Sequence, residues 1–218
     1  MFPLADINRP LHPPVVVKAL VVANVLAFLM EWLAGPAGRE SMIYTYGFIP
    51  ARFWADPLGE AYRLFTSQFL HGGFSHILGN MWFLWVFGDN VEDRLGKTKF
   101  LLFYLAGGAL AALAQGVFDP GSTTPMIGAS GAISAVLGAY YVLFPGAQIL
   151  TLVWLIIPLT FYLPAGFYLG YWALLQFLYA LLGGSNVAFW AHLGGFVWGW
   201  GALRYGPFAP KSPPWKKL

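Results

Sequence analysis

The sequence contains no cysteine and very little charge. Without cysteine the chain has neither disulfides nor thiolate metal ligands, and its redox compartment is not indicated. Only 10% of its 218 residues are charged and 58% are hydrophobic, whereas a soluble domain carries about 25% charged residues. Such a chain cannot cover a water-facing surface, so we expect an integral membrane protein. Its net charge of +3 is better explained by loop charges that fix orientation than by binding to nucleic acid.

The hydrophobic segments are long and continuous, which indicates membrane-spanning helices. A membrane β-barrel would show short strands of alternating polarity, and only helices and closed barrels satisfy every backbone group inside a bilayer. We therefore predict an all-α membrane protein with a six-helix domain at residues 15–204, between a short polar arm (1–14) and a basic tail (205–218). The six predicted spans are residues 15–34, 75–91, 100–118, 130–144, 166–182 and 187–203.

The stretch 148–184 can be divided in two ways. It is apolar throughout but is interrupted at Pro158, Pro164 and Gly166, residues that break regular helices. We favour an interfacial or re-entrant piece at residues 149–163, followed by one span. The alternative is two full spans, which would put the two ends of the chain on opposite sides of the membrane.

The basic residues are distributed unevenly over the predicted loops. With six spans, nine of the twelve lie on the side that holds both termini: Arg9, Lys18, Arg94, Lys97, Lys99, Arg204, Lys211, Lys216 and Lys217. The other side holds Arg39, Arg52 and Arg63. Because cytoplasmic loops carry the excess of Lys and Arg, we predict that both termini are cytoplasmic. The turns before Ser130 and His192 then lie on the outer side.

Ser130 is the candidate nucleophile and His192 is its candidate base. Ser130 opens an apolar segment within Gly128-Ala-Ser-Gly131, where small neighbours leave its hydroxyl uncovered. A serine hydroxyl is a weak nucleophile until a base activates it, and His192 is the only histidine that follows it. Polar groups inside a membrane are functional candidates by default. The simpler alternatives are a helix N-cap for Ser130 and a buried imidazole bonded to a carbonyl for His192.

Glycines in the same two segments indicate where their helices pack. Gly131 and Gly138 are two turns apart, and Gly195 and Gly199 form a small-x-x-x-small face. Such faces allow two helices to approach closely in a membrane. Close packing of these segments would bring the Ser130 hydroxyl within hydrogen-bond reach of His192.

His76 and Asn80 are candidates for stabilising an oxyanion. They are four residues apart and so share one face of a helix. Both can donate hydrogen bonds to the negative charge that develops during acyl transfer, and the Ser130 backbone N–H at a helix N-terminus would be a further donor. Alternatively, the pair only holds helices together. A metal site of His71, His76 and His192 is disfavoured because no carboxylate or cysteine lies at ligand spacing.

These motifs resemble those of the rhomboid intramembrane serine proteases, and the resemblance covers nearly the whole chain. Gly-x-Ser-Gly alone would be weak evidence, whereas the complete set in this order is specific. The motifs are His71 and His76-x-x-x-Asn80 in the second span, Gly88-x-x-x-Glu92-x-x-x-Gly96 at its end, Gly128-x-Ser130-Gly131 opening the fourth, and Ala191-His192-x-x-Gly195-x-x-x-Gly199 in the sixth.

The resemblance implies a six-helix bundle with Ser130 as nucleophile, His192 as general base, and His76 and Asn80 as oxyanion donors. It implies that residues 44–70 form a membrane-embedded loop anchored by Arg63. It also implies that the span after Gly166 moves as a lateral gate, with residues 184–189 as a cap. Structural roles are expected for Gly128, Gly131, Gly138, Gly195, Gly199, Glu92 and Arg63.

One position departs from the family pattern. Some members carry an aromatic residue four positions after the nucleophile, which stacks on the catalytic histidine, but this chain has Ser134 there. Another aromatic, such as Phe189 or Trp190, is expected to orient His192 instead. No carboxylate matches the third member of a serine-protease triad, so a dyad is predicted.

The leading hypothesis is an endopeptidase that cuts single-span membrane proteins near the outer end of their transmembrane helix. A non-catalytic rhomboid-like binding protein is disfavoured by the intact polar residues, and a channel or transporter by the absence of internal repeats. The expected partners are transmembrane substrates and the lipid bilayer, without cofactor, metal or nucleic acid, and the oligomeric state is left open. The expected location is a prokaryotic plasma membrane.

Overall fold

The computed structural model describes residues 1–154, 156–183 and 187–209. The helices in this part of the chain are α1 (Val15–Leu33), α2 (Gly35–Tyr46), α3 (Pro50–Ala55), α4 (Pro57–Glu60), α5 (Arg63–Thr66), α6 (Phe74–Leu95), α7 (Lys97–Phe118), α8 (Ser130–Leu143), α9 (Ala165–Leu182) and α10 (Phe189–Arg204). The strands are β1 (Phe2–Asp6), β2 (Gln148–Trp154) and β3 (Pro158–Pro164). Residues 184–186 of the predicted cap and 210–218 of the predicted tail lie outside the described residues.

The six longest of these helices lie where the sequence predicts helices, and local breakers explain their ends. A glycine with positive φ follows both α6 and α9, at Gly96 (φ 76°) and Gly183 (φ 64°). Glycine adopts this left-handed conformation without steric cost and commonly ends a helix. α8 stops just before Pro145, and α9 begins just after Pro164, because proline cannot continue a helix that precedes it.

Three of the described helices are long and apolar enough to cross a bilayer: α1, α7 and α9. α8 is apolar but has only 14 residues, and the last turns of α6 contain Asp89, Glu92, Asp93 and Arg94. Together with the hydrophobic composition, the spanning helices establish that the chain is an integral membrane protein.

α8 lies at the centre of the bundle. It contacts α6, α7, α9 and α10, and its buried positions include every residue from Gly131 to Tyr140. A helix that is apolar on all sides is expected to be surrounded by other elements. The residue that opens this helix, Ser130, is therefore held by the most enclosed element of the described chain.

Glu92 joins the end of α6 to the beginning of α1. Its buried carboxylate accepts hydrogen bonds from the backbone N–H groups of Val15 (2.9 Å), Val16 (2.9 Å) and Val17 (2.8 Å). The first N–H groups of a helix have no intrahelical acceptor, and negative charge is favourable at that end. The glutamate of the Gly88-to-Gly96 motif is thus a helix cap supplied from a distant part of the chain.

The prediction of an all-α fold is wrong in one region, which forms a three-stranded antiparallel sheet in the order β1–β2–β3. β2 and β3 pair along their whole length, from Gln148 opposite Pro164 to Trp154 opposite Pro158. The predicted interfacial or re-entrant piece at 149–163 is therefore a hairpin, and the alternative with two full spans is wrong. Its β-branched and aromatic residues favour strands, and its prolines disfavour a helix.

The first residues of the chain complete this sheet. β1 pairs with β2, with Phe2 opposite Leu152. Just past this pairing, the Asp6 carboxylate accepts hydrogen bonds from the Tyr140 hydroxyl of α8 (2.5 Å) and the Asn90 amide of α6 (2.9 Å). The arm that the sequence predicts as a polar leader is therefore bonded to the bundle.

The aromatic loop between α1 and α6 is folded into the short helices α2 to α5 and a 3₁₀ turn at Ser67–Phe69. Arg63 holds it by donating to the backbone carbonyls of Tyr44 (2.6 Å) and Gly47 (3.1 Å) and by pairing with Glu60. Phe48 and Met126 exchange two backbone hydrogen bonds of 3.0 and 2.7 Å. The loop is thereby tied to the segment that leads into Ser130.

Candidate active site

Ser130 and His192 lie side by side at the end of the bundle opposite the sheet. Ser130 is the first residue of α8, and His192 lies in the first turn of α10. The Ser130 Oγ is 2.9 Å from the His192 Nε2. At this distance the hydroxyl can donate its hydrogen to the imidazole, which is the geometry of an activated serine nucleophile.

The close contact between α8 and α10 depends on glycine. A methyl group added to Gly199 would overlap the backbone carbonyl oxygen of Ala135, and one added to Gly195 would overlap that of Gly131. Gly138 faces the backbone of α10 in the same way. Small residues let helix backbones approach until they touch, and here that approach brings a serine on one helix to a histidine on the other.

His76 presents a ring N–H beside the Ser130 backbone. The Gly72 backbone N–H donates to the His76 Nδ1 at 3.1 Å, so the neutral ring carries its proton on Nε2. A methyl group on Gly128 would lie only 2.7 Å from that Nε2. Gly128 also has φ +118°, a conformation that side chains rarely adopt. Glycine at this position therefore leaves the His76 N–H uncovered.

Asn80 lies one turn further along α6 and is buried. Its Nδ2 donates one hydrogen to the His76 backbone carbonyl at 3.0 Å, which leaves the second amide hydrogen for another acceptor. A methyl group on Gly128 would be 3.7 Å from this Nδ2. The structure thus brings the His76 and Asn80 side chains to the same small space beside Gly128 and Ser130.

His71 does not lie in the second helix as predicted, because α6 begins only at Phe74. Its backbone N–H donates to the Glu31 carboxylate (3.1 Å), and its ring packs edge-on against the ring of His76, with centroids 5.1 Å apart. Glu31 is fully buried, and its Oε2 lies 4.0 Å from the Arg39 Nε. His71 therefore packs behind His76 rather than beside Ser130.

The second ring nitrogen of His192 is bonded to a residue that sequence reasoning missed. The His192 Nδ1 lies 2.8 Å from the Gln176 Oε1 on α9. The ring also packs near Phe189 and Trp172, with centroids 6.2 and 6.1 Å away. Trp190, the other expected neighbour, stacks on Phe118 instead. The available signal was that Gln176 is the only carboxamide in the apolar run of α9.

Two cavities reach this cluster. One of about 390 Å³ is lined by Ser130, His192 and His76 together with loop residues such as Gln68 and Val187. The other, of about 260 Å³, lies between α6, α8 and α9 and has the apolar walls Phe83, Ile133 and Trp172. Ser130 thus lines both cavities, one formed partly by loop residues and one formed by helices.

The polar cluster has the groups that acyl transfer requires. It combines a serine bonded to a histidine with two further N–H donors beside the serine. Among the residues that the structure describes, no group of three or more His, Cys, Asp or Glu side chains is arranged to hold a metal ion. Ser134, four positions after Ser130, donates to the Ser130 backbone carbonyl at 2.6 Å.

Comparison with known proteins shows which proteins this chain is similar to. The Rhomboid domain family model matches residues 58–206. Rhomboid protease GluP of Bacillus subtilis is 38% identical over 115 residues, which are 53% of this chain and 22% of that protein. Presenilin-associated rhomboid-like protein A, mitochondrial, of Danio rerio is 32% identical over 73% of this chain and 42% of its own length. Rhomboid-related protein 2 of Mus musculus is 29% identical over 86% of this chain and 62% of its own length. The chain spans less than two thirds of each of these relatives.

Proposed function

The chain belongs to the rhomboid family, and from that premise we propose that it is an intramembrane serine endopeptidase with Ser130 and His192 as its catalytic dyad. The observation that carries the proposal is the 2.9 Å contact between the Ser130 Oγ and the His192 Nε2. This contact joins two apolar helices, where an unpaired polar group would be costly.

In the proposed reaction, the His192 Nε2 takes the proton of the Ser130 hydroxyl as Oγ attacks the carbonyl carbon of a substrate peptide bond. The tetrahedral intermediate collapses when His192 passes that proton to the leaving amine, which frees one product and leaves an acyl-enzyme. Water, deprotonated by the same imidazole, then releases the second product. Ser130 and His192 are therefore the only side chains that exchange protons in the formation and the hydrolysis of the acyl-enzyme.

We assign the stabilisation of the intermediate to His76, Asn80 and the Ser130 backbone N–H. The His76 Nε2–H and the second Asn80 amide hydrogen are unused by the bonds that orient these side chains. The Ser130 N–H stands at the start of α8, where helical N–H groups have no intrahelical acceptor. Preorganised donors of this kind stabilise the negative charge that develops on the carbonyl oxygen.

The substrates we propose are membrane proteins with a single transmembrane helix, cut near its outer end. The cavity between α6, α8 and α9 is lined by Ser130 and His192 as well as by apolar side chains. Only 17% of the residues of α9 are buried, the smallest share among α1, α7 and α9. A helix with so little buried surface fits a role as a movable wall of that cavity. Because a helical carbonyl is already hydrogen-bonded, the scissile bond is expected in a segment weakened by glycine, proline or small residues.

We further infer that all six long helices cross the bilayer and that both termini are cytoplasmic. The end of the bundle that holds the sheet also holds Arg9, Lys18, Arg94, Lys97 and Lys99. An excess of basic residues is the mark of cytoplasmic loops. Ser130 and His192 stand at the opposite end, and cleavage is therefore assigned to the outer half of the membrane.

Incubation of the detergent-purified protein with a panel of tagged single-span substrates tests the function. We expect cleavage by the wild type and labelling of Ser130 by a fluorophosphonate, since only an activated serine reacts. Ser130→Ala and His192→Ala should each abolish cleavage, and their effects should not add because the pair acts as one unit.

Ser134→Ala is the matched control for this experiment. It removes a hydroxyl one turn further along the same helix, outside the contact with His192, and should retain both cleavage and labelling. If the folded wild type neither cleaves a substrate nor reacts with the fluorophosphonate, the protease proposal is wrong and a non-catalytic binding protein is favoured. Cleavage by Ser130→Ala would mean that another nucleophile is at work.

A further inference from the structure

The base of the dyad is held by a residue of a third helix. The Gln176 Oε1 lies 2.8 Å from the His192 Nδ1, while the Ser130 Oγ lies 2.9 Å from Nε2 on the other side of the ring. An amide oxygen accepts hydrogen bonds and cannot donate them. With the oxygen facing Nδ1, this contact is a hydrogen bond when the ring proton is on Nδ1, which leaves the lone pair of Nε2 for the Ser130 hydroxyl.

This proton position is the one that a general base requires. A neutral imidazole carries one proton, and the hydrogen bond at one nitrogen decides which nitrogen carries it. If the proton were on Nε2, the ring could not accept the hydrogen of the Ser130 hydroxyl. We propose that Gln176 is the positioning residue of the dyad, selecting the base-competent tautomer and fixing the rotation of the ring. This inference rests on the proposed function.

No other described contact of His192 provides a hydrogen-bond acceptor for its Nδ1. Phe189 and Trp172 contact the ring but offer no acceptor to Nδ1. The Ser134 hydroxyl is engaged with the Ser130 carbonyl at 2.6 Å. Within the described parts of the chain, no ion pair joins His192 to a carboxylate, and the other titratable side chain that lines its two cavities is His76 of α6.

The neutrality of Gln176 has a consequence of its own. The aspartate of a serine-protease triad both orients the histidine and stabilises the imidazolium that forms during the reaction. A carboxamide orients the ring without a full charge. Gln176→Glu places a carboxylate beside the His192 Nδ1, as in a triad. The acidic limb of the pH profile of kcat/KM should then move to higher pH. A carboxylate here favours the protonated ring, which must lose its proton before it can act as a base.

Gln176→Leu removes the acceptor and keeps a side chain of similar size. We expect kcat to fall about 10- to 100-fold, because a histidine locked in the wrong tautomer costs about 10⁴-fold and an unbiased ring still samples the right one. KM should stay within about twofold, because Gln176 contacts the base and not the substrate. The control is Phe177→Leu, the exposed neighbour on α9, which should leave kcat and KM unchanged.

The second measurement needs no substrate. ¹⁵N NMR of histidine-labelled protein, with the His192 signals identified from His192→Ala, distinguishes a protonated Nδ1 from a protonated Nε2. We expect a protonated Nδ1 in the wild type and in Ser130→Ala, and a mixture of tautomers in Gln176→Leu. A wild-type His192 protonated on Nε2, or a Gln176→Leu variant with normal kcat and an unchanged tautomer, would overturn the proposal. If wild type cleaves nothing but carries the Nδ1 proton, the protease proposal fails while the Gln176 bond stands.

Discussion

Asn80→Ala tests the assignment that is most easily confused with helix packing. Asn80 donates one amide hydrogen to the His76 carbonyl at 3.0 Å, a contact that only stiffens its own helix. Its second hydrogen is left for another acceptor, and Asn80 lines the same cavity as Ser130. The two hydrogens thus correspond to two hypotheses, one structural and one catalytic, and each predicts a different pattern for the same variant.

The expected size of the effect follows from the number of donors. Removing one oxyanion donor from a soluble serine protease costs about 10²- to 10³-fold in turnover. Here the His76 ring and the Ser130 N–H remain, so we expect a loss of about 10- to 100-fold, or roughly 1.4 to 2.7 kcal/mol of transition-state stabilisation. Apparent substrate affinity should change little, because the donor acts on charge that exists only in the transition state.

The chain supplies a matched control in Asn24 of α1. Its Nδ2 donates to the Leu20 carbonyl at 2.7 Å, the same bond between residues four apart, and Asn24 is also buried. Asn24→Ala therefore removes the same local contact far from Ser130. Loss of one such hydrogen bond should lower the free energy of unfolding by about 1 kcal/mol in both variants, while only Asn80→Ala should slow cleavage.

Single-turnover cleavage and thermal unfolding, measured on the same preparations, decide between the hypotheses. Substrate is mixed with excess enzyme, so that product release does not mask the chemical step. If Asn80→Ala unfolds as early as Asn24→Ala but cleaves as fast as the wild type, Asn80 is a packing residue. His76 and the Ser130 N–H would then carry the stabilisation without it.

Two further predictions concern the frame around the site. Glu92→Ala removes the acceptor of three N–H groups of α1, so the free energy of unfolding should fall by about 2–4 kcal/mol. Asp93→Ala removes the acceptor of the Leu11 and His12 N–H groups in the loop before α1 and should cost less, about 1 kcal/mol; equal effects would contradict the capping role of Glu92. Reporters fused after Leu218 should be active only as cytoplasmic reporters, and activity of an extracytoplasmic reporter there would refute the orientation.

The helices were predictable because residues next to their ends in the sequence, mainly proline and glycine, determine where they stop. The apolar runs that stop before Pro145 and Gly183 correspond to α8 and α9 almost residue for residue, whereas α6 continues through charged residues beyond the predicted end at residue 91, to Leu95. The approach of α8 to α10 was predictable for the same reason, since glycines at helical spacing indicate a contact face without any knowledge of the partner. Both signals depend on neighbours in sequence.

The sheet and the long-range bonds were not predictable in this way. β2 and β3 together look like one apolar stretch, and periodicity alone does not separate a buried strand from a short helix. The contact between Gln176 and His192 depends on how far α9 is rotated about its axis, which an apolar sequence leaves open. Glu92 reaches α1 across more than seventy residues, a distance over which no local rule operates.

A polar residue in an apolar helix is therefore only a candidate functional residue, and its role depends on the residues that surround it in the folded protein. Asn24 and Asn80 make the same bond to their own helix, so neither identity nor local geometry separates them. Asn80 lines the cavity that also contains Ser130 and His192, whereas α1 contributes no residue to either described cavity at the site. In the proposed mechanism, Asn80 differs from Asn24 because its second amide hydrogen is left for an acceptor in the cavity that Ser130 also lines. This property depends on how α6 packs against α8.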